Sequence, residues 1–144
     1  MQVKSILKAK GTRVITVAPH TTIDALAHRL RLENIGAVVV SSDGVTVDGI
    51  ISERDVLRGL AEHGTELLVM PVDALMTHGV QTCTPEADVK EVMRLMTQKR
   101  IRHLPVVNGD RLVGIVSIGD VVKNRLDDME MEANVLRDYA IARG

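Results

Sequence analysis

Two short boxes carry the residue types that could do chemistry, Ser52-Glu-Arg-Asp55 and Ser117-Ile-Gly-Asp120. Each sets a hydroxyl three residues ahead of a carboxylate, and each follows a glycine and two β-branched residues (Gly49-Ile-Ile and Gly114-Ile-Val). A serine at a helix N-cap with an acid at the third helical position is a capping box, which satisfies amides left free at the helix start. The same helix start offers N–H groups and a hydroxyl to a phosphate, while the carboxylate can accept from two ribose hydroxyls. Capping and anion binding are both open on these residues alone. The recurrence of the box 65 residues later adds weight to the binding role.

Arg102 and His103 open a second candidate group, at the start of the β-branched run Ile101-Arg-His-Leu-Pro-Val-Val. Arginine presents a planar donor fork that suits phosphate oxygens, and histidine adds charge when protonated. The first half has Gly36 and Ala37 at the corresponding positions, so the halves differ in their capacity to hold an anion. Arg54, inside the first box, partly offsets this. His20, His28, His63, His78 and His103 have no metal-ligand spacing and share no local motif with Cys83 or a carboxylate pair. No Gly-rich phosphate loop and no G-x-G-x-x-G is present. No catalytic residues and no metal site are therefore expected, and Cys83, within a predicted strand, reads as a buried thiol.

The elements that must position these residues are repeated. Val3, Ile6 and Leu7 form a short apolar helical face, and Val72, Leu75 and Met76 repeat it; each is expected to lead into its own repeat. A short strand at 13–17 ends at Pro19, matched by 80–84 ending at Pro85. Thr22 caps a predicted helix with Ile23, Leu26 and Leu30 on one face, and Ala87 or Asp88 opens its partner with Val89, Val92 and Met96. Buried strands follow at 35–40 and 101–107, then turns at Ser41–Gly44 and at Asn108-Gly-Asp, where Asn-Gly favours a tight hairpin. Returning strands at 47–51 and 112–116 lead into helices beginning at Ser52 and Ser117. One copy would leave a three-stranded sheet with an uncovered face, and two copies bury it. The apolar Leu67-Leu-Val-Met predicts that the linker, Glu62 to Met70, packs against the body.

After Asp120 the chain carries no Gly or Pro until Gly144, and Val122, Leu126, Met129, Ala133, Leu136 and Ala140 recur at alternating spacings of four and three. This is a heptad-like seam, suited to packing on its own domain or to self-association. Composition limits the partners. The 144 residues carry a net charge of −1, 45% apolar residues and one aromatic, Tyr139. The core must be aliphatic, no aromatic platform exists for single-stranded nucleic acid, and no global field draws polyanions or anionic lipid. The longest apolar run is far too short to span a bilayer, and one cysteine excludes an internal disulfide. A cytoplasmic protein with no nucleic-acid or membrane partner is expected.

The two Gly-h-h-Ser-x-x-Asp boxes (h apolar), the Ile101-Arg-His-Leu-Pro-Val run and the Thr16 to Pro19 entry, in this order and repeated, resemble a pair of CBS domains. Two copies of this cystathionine-β-synthase-type repeat form a Bateman module. The resemblance implies an α/β (α+β) fold of two small sheets with flanking helices about a pseudo-two-fold. The repeats would span 1–65 and 66–125, each with its leader helix, followed by a C-terminal helix at 126–144. It also implies a stand-alone, non-catalytic regulatory module whose clefts hold an adenosine nucleotide such as AMP, ADP, ATP or NAD(H), or S-adenosylmethionine. Asp55 and Asp120 would contact ribose, and Ser52 and Ser117 phosphate. Arg102, His103 and Arg54 would add phosphate contacts, and backbone near Thr16, Ile35, Thr82 and Ile101 would hold the base. A homodimer and an unidentified effector protein are the implied partners. A dimerising scaffold that binds no nucleotide, with both boxes acting only as caps, is the alternative.

Overall fold

The computed structural model describes residues 1–11 and 13–143. Helix α1 (Val3–Lys10) is followed by β1 (Thr16–Val17), α2 (Ile23–Glu33), β2 (Ala37–Val40), β3 (Gly49–Ser52) and α3 (Glu53–His63). Two 3₁₀ turns, Gly64–Val69 and Val72–Ala74, then lead to α4 (Val89–Lys99), β4 (His103–Asn108), β5 (Arg111–Ser117) and α5 (Ile118–Arg143). Helices α2 and α4 start where expected. The Thr22 hydroxyl accepts from the Ala25 N–H and the Asp88 carboxylate from the Lys90 N–H, while Ile23, Leu26, Leu30 and Val89, Val92, Met96 are buried.

The first sheet has three strands in the order β1-β2-β3, with β1 parallel and β3 antiparallel to β2. The second is a β4-β5 hairpin. Its expected third strand at 80–84 shrinks to one parallel bridge between Cys83 and Val106, made by Cys83 N–H to Pro105 O and Val107 N–H to Cys83 O. Pro105 lacks an N–H to extend the ladder on that side. In the hairpin Asn108 pairs with Arg111, so the two loop residues are Gly109 and Asp110, and Gly109 takes the positive φ of 64° at the first of them. The first-repeat turn is larger and closes on Asp43. Its carboxylate accepts from the N–H groups of Val45 and Thr46 and from the hydroxyls of Thr46 and Ser41, which holds the acid well below the usual carboxylate range.

Two aliphatic cores result, and the leader segments cross between them. Val3, Ile6 and Leu7 are buried with Val89, Val92, Met96, Leu104 and Val116 of the second repeat. Val72 is buried with Ile23, Leu26, Val38 and Ile51 of the first, with Leu75 and Met76 packed against that cluster. This corrects the expectation that each leader enters its own repeat, and the second leader is a 3₁₀ turn, not a helix. The crossing is symmetric at the backbone. Val3 N–H donates to Ala87 O and Val89 N–H to Met1 O, as Ile23 N–H does to Met70 O and Val72 N–H to Thr21 O, all at 2.8–3.0 Å. The linker packs as its composition predicted, with Leu67 1% exposed. Helix α5 begins at the second box, where a helix was expected at Ser117, and runs unbroken into the C-terminal segment.

Candidate functional site

Each Ser-x-x-Asp box caps the helix that follows it. In the first, the Ser52 N–H and hydroxyl both donate to the Asp55 carboxylate, at 2.8 and 3.1 Å, and the Glu53 N–H donates to Gly36 O at 3.0 Å. In the second, the Ser117 N–H donates to Asp120 and the Asp120 N–H to the Ser117 hydroxyl, at 2.9 and 3.1 Å. The Ile118 N–H donates to Arg102 O at 2.8 Å. The first helical amide at each box, that of Glu53 or Ile118, is thus already used, and side chains add to what the remaining amides can offer an anion.

Side chains suited to that task gather at the first box. A cleft of about 210 Å³ lies between Ser52, Glu53, Arg54, Asp55 and Arg58 of the first repeat and Arg100, Ile101, Arg102 and His103 of the second, with Gly36, Ala37, Ile50 and Thr77 completing its wall. Thr77 and Ile50 exchange backbone hydrogen bonds at 2.9 and 3.1 Å, which fixes that wall. Four arginines and two acids line it, an excess of two positive charges in a chain whose net charge is −1. A Cβ at position 36 would stand 2.8 Å from Glu53 Oε1, the end of a flexible exposed side chain, and in ordinary contact, at 3.6 Å, with the His103 ring. His103 is held below its ordinary pKa by burial first and then by the Lys10 charge, against the pull of Glu53 and Asp120.

The second box is arranged differently. Lys10 Nζ reaches the Asp120 carboxylate at 2.8 Å and donates to Ile115 O at 2.9 Å, in a separate cavity of about 300 Å³ bounded by Ser5, Lys123, Asn124 and Asp127. Burial alone would push Asp120 up, but the Lys10 and Ser117 hydrogen bonds outweigh it and hold the acid below its usual range. Of the residues singled out from sequence, Ser52, Arg54, Asp55, Ile101, Arg102 and His103 meet in one cleft. Asp120 and Ser117 sit at the second box. Thr16 lies in β1 opposite Val39, Ile35 packs against the first core, and Thr82 is exposed beside the Cys83 bridge; none of these three lines the cleft.

Arg58 and Arg100 escaped the sequence reading. Arg58 lies four residues after Arg54, hence on the same face of α3. Arg100 ends α4 in the left-handed conformation, φ 54°, where Gly or Asn is the usual choice. Among the described residues no group of His, Cys, Asp and Glu is arranged to hold a metal ion. None of their helices is long and apolar enough to cross a membrane.

The sequence pattern of the CBS domain matches residues 3–62 and 72–127. The chain belongs to the CBS-domain family. The CBS pair is 36% identical over 135 residues to the mitochondrial CBS domain-containing protein CBSX3 of Arabidopsis thaliana, covering 91% of this chain but only 65% of that protein. It is 32% identical over 124 residues to the CBS domain-containing protein YhcV of Bacillus subtilis, covering 86% of this chain and 87% of that one. A CBS-domain-containing protein of Agrobacterium tumefaciens has a structure superposing with a TM-score of 0.83 at 43% identity, over 87% of this chain and 99% of that one. Two ligand-bound structures share the fold. These are CBSX2 in complex with AMP, 25% identical with a TM-score of 0.75 over 89% and 98% of the chains, and the CBS domain pair of protein MJ0100 with 5′-methylthioadenosine and S-adenosyl-L-methionine, 26% identical with a TM-score of 0.79 over the same shares.

Proposed function

We propose that this CBS pair is a non-catalytic regulatory module that binds a phosphate-bearing adenosine nucleotide in the cleft at Asp55 and passes its occupancy to an effector protein. The observation that carries the reading is the convergence of Arg54 and Arg58 from one repeat and Arg100 and Arg102 from the other on a cleft that also holds a carboxylate. Guanidiniums suit phosphate oxygens, and the Asp55 carboxylate suits a pair of ribose hydroxyls. AMP bound to CBSX2 and the adenosyl ligands bound to protein MJ0100 support an adenosine ligand for this cleft. The charge excess favours AMP, ADP or ATP over cationic S-adenosylmethionine.

Thermal unfolding against AMP, ADP, ATP, NAD, NADH, S-adenosylmethionine and unphosphorylated adenosine tests the reading. A ligand at about 100 times its Kd adds roughly 2.7 kcal/mol, several degrees for a chain of this size. The expected result is a shift with adenine mononucleotides that Arg102→Ala reduces, since a hydrogen bond to a charged group contributes about 1.5–3 kcal/mol. Any response to adenosine should survive that substitution. Flat curves across the panel would leave Ser52 and Asp55 as helix caps and favour a scaffold role.

A further inference from the structure

The outer half of α5 extends beyond most of the body, with Met1 beside it across a cavity bounded by Asp128, Met131, Glu132, Val135 and Leu136. Val121 is buried and Asn124, Arg125 and Asp128 are half-buried, but every residue from 129 to 142 is exposed, a rod about 21 Å long at 1.5 Å per residue. A helical segment of this length is marginal alone in water. The row Val122, Leu126, Met129, Ala133, Leu136 and Ala140 lies about a quarter turn around the helix from the face that meets the body. The larger side chains of this row are 43–68% exposed. We infer that this row is the seam of a parallel two-stranded coiled coil with α5 of a second copy of the chain.

The flanking charges choose the partner and its direction. With Leu126, Ala133 and Ala140 at the a positions and Val122, Met129 and Leu136 at d, the e and g positions carry the charged residues Lys123, Arg125, Glu130, Glu132 and Arg137, and Tyr139. In a parallel pair each g residue meets the e residue of the next heptad on the other helix. This sets Arg125 against Glu130 and Glu132 against Arg137, each pair formed twice by symmetry. An antiparallel pair over the full seam sets e against e and g against g. Glu130 would then meet its own copy, Glu132 its own copy, and Lys123 would meet Arg137. Opposite charges line every such contact of the parallel register, and like charges three of the antiparallel one.

The inference is independent of the nucleotide reading, and sedimentation of the ligand-free full chain tests it. A dimer is expected. Arg137→Glu turns the Glu132 contact of a parallel pair into a repulsion, and should weaken the dimer roughly tenfold at low salt, with the difference fading at high salt. In an antiparallel pair the same substitution would meet Lys123 and strengthen it. The double variant E132R/R137E should recover the parallel dimer. The variant L136C, oxidised in native solution, should link to its own copy through the shared d position. A monomer at all concentrations, a stronger dimer with Arg137→Glu, or a dimer indifferent to every α5 variant would each overturn the inference. So would retention of α5 by a different protein in place of self-association.

Discussion

His103 stands where the two repeats meet, close enough to Glu53, Lys10, Asp120 and Arg102 to feel each charge. Burial disfavours its cation, so the folded protein takes up a proton at lower pH than the unfolded chain, whose histidine titrates near about 6.5. Stability from this residue is therefore fully present above about pH 6.5 and is lost as pH falls toward the depressed folded value. Urea midpoints of the parent and of His103→Gln, compared from about pH 8 to pH 5, should show the parent losing stability relative to the variant across that interval. A constant difference would mean that the imidazole is not desolvated. A phosphate in the cleft would pull the other way, favouring the protonated ring. Arg102 and His103 were legible in the sequence because they break the symmetry with Gly36 and Ala37. Arg58 and Arg100 were not, because a helical arginine and a helix-terminal arginine read as solvated surface until both repeats are seen to line one cleft.

At the scale of elements the repeat itself was plain, since glycine, serine and aspartate recur at one offset and the apolar faces of α2 and α4 match residue for residue. The exchange of leaders was hidden, because Val3, Ile6, Leu7 and Val72, Leu75, Met76 carry the same pattern and nothing local says which core receives them. The loss of regular structure at 80–84 was hidden too, since it depends on Pro105 of a strand distant in sequence. The exchange is testable through Leu7, which packs in the second core with its methyl carbons against the face of Gly114, where an added Cβ would lie 2.5 Å from Leu7 Cδ2. Leu7→Ala leaves a cavity and should cost about 2–5 kcal/mol. Hydrogen exchange of the variant should show the loss at Leu104, Val106 and Val116, whereas a leader packed on its own repeat would expose Val38, Val39 and Ile51 first.

For the whole molecule the exchange makes two small folds into one. A unit of about 60 residues buries only about 60% of its unfolded surface and is marginal by itself. Here each repeat also lacks part of its core, because residues 1–65 carry α1 without the second core it fills, and the first core needs Leu67 and Val72 from beyond that point. The two are further joined where the Leu112 N–H donates to Val45 O at 2.7 Å. Fragments 1–65 and 66–144, prepared separately, should each unfold without a cooperative transition, and mixing them in equal amounts should restore one. A cooperative transition in either fragment alone would show that its repeat needs neither the exchanged leader nor the inter-repeat bond. Such coupling bears directly on regulation. Arg54 and Arg58 belong to one half of this unit and Arg100 and Arg102 to the other, so a ligand that draws the four together acts on the angle between the halves. Helix α5, capped at the second box by Asp120 and extending beyond the body, would carry that change outward.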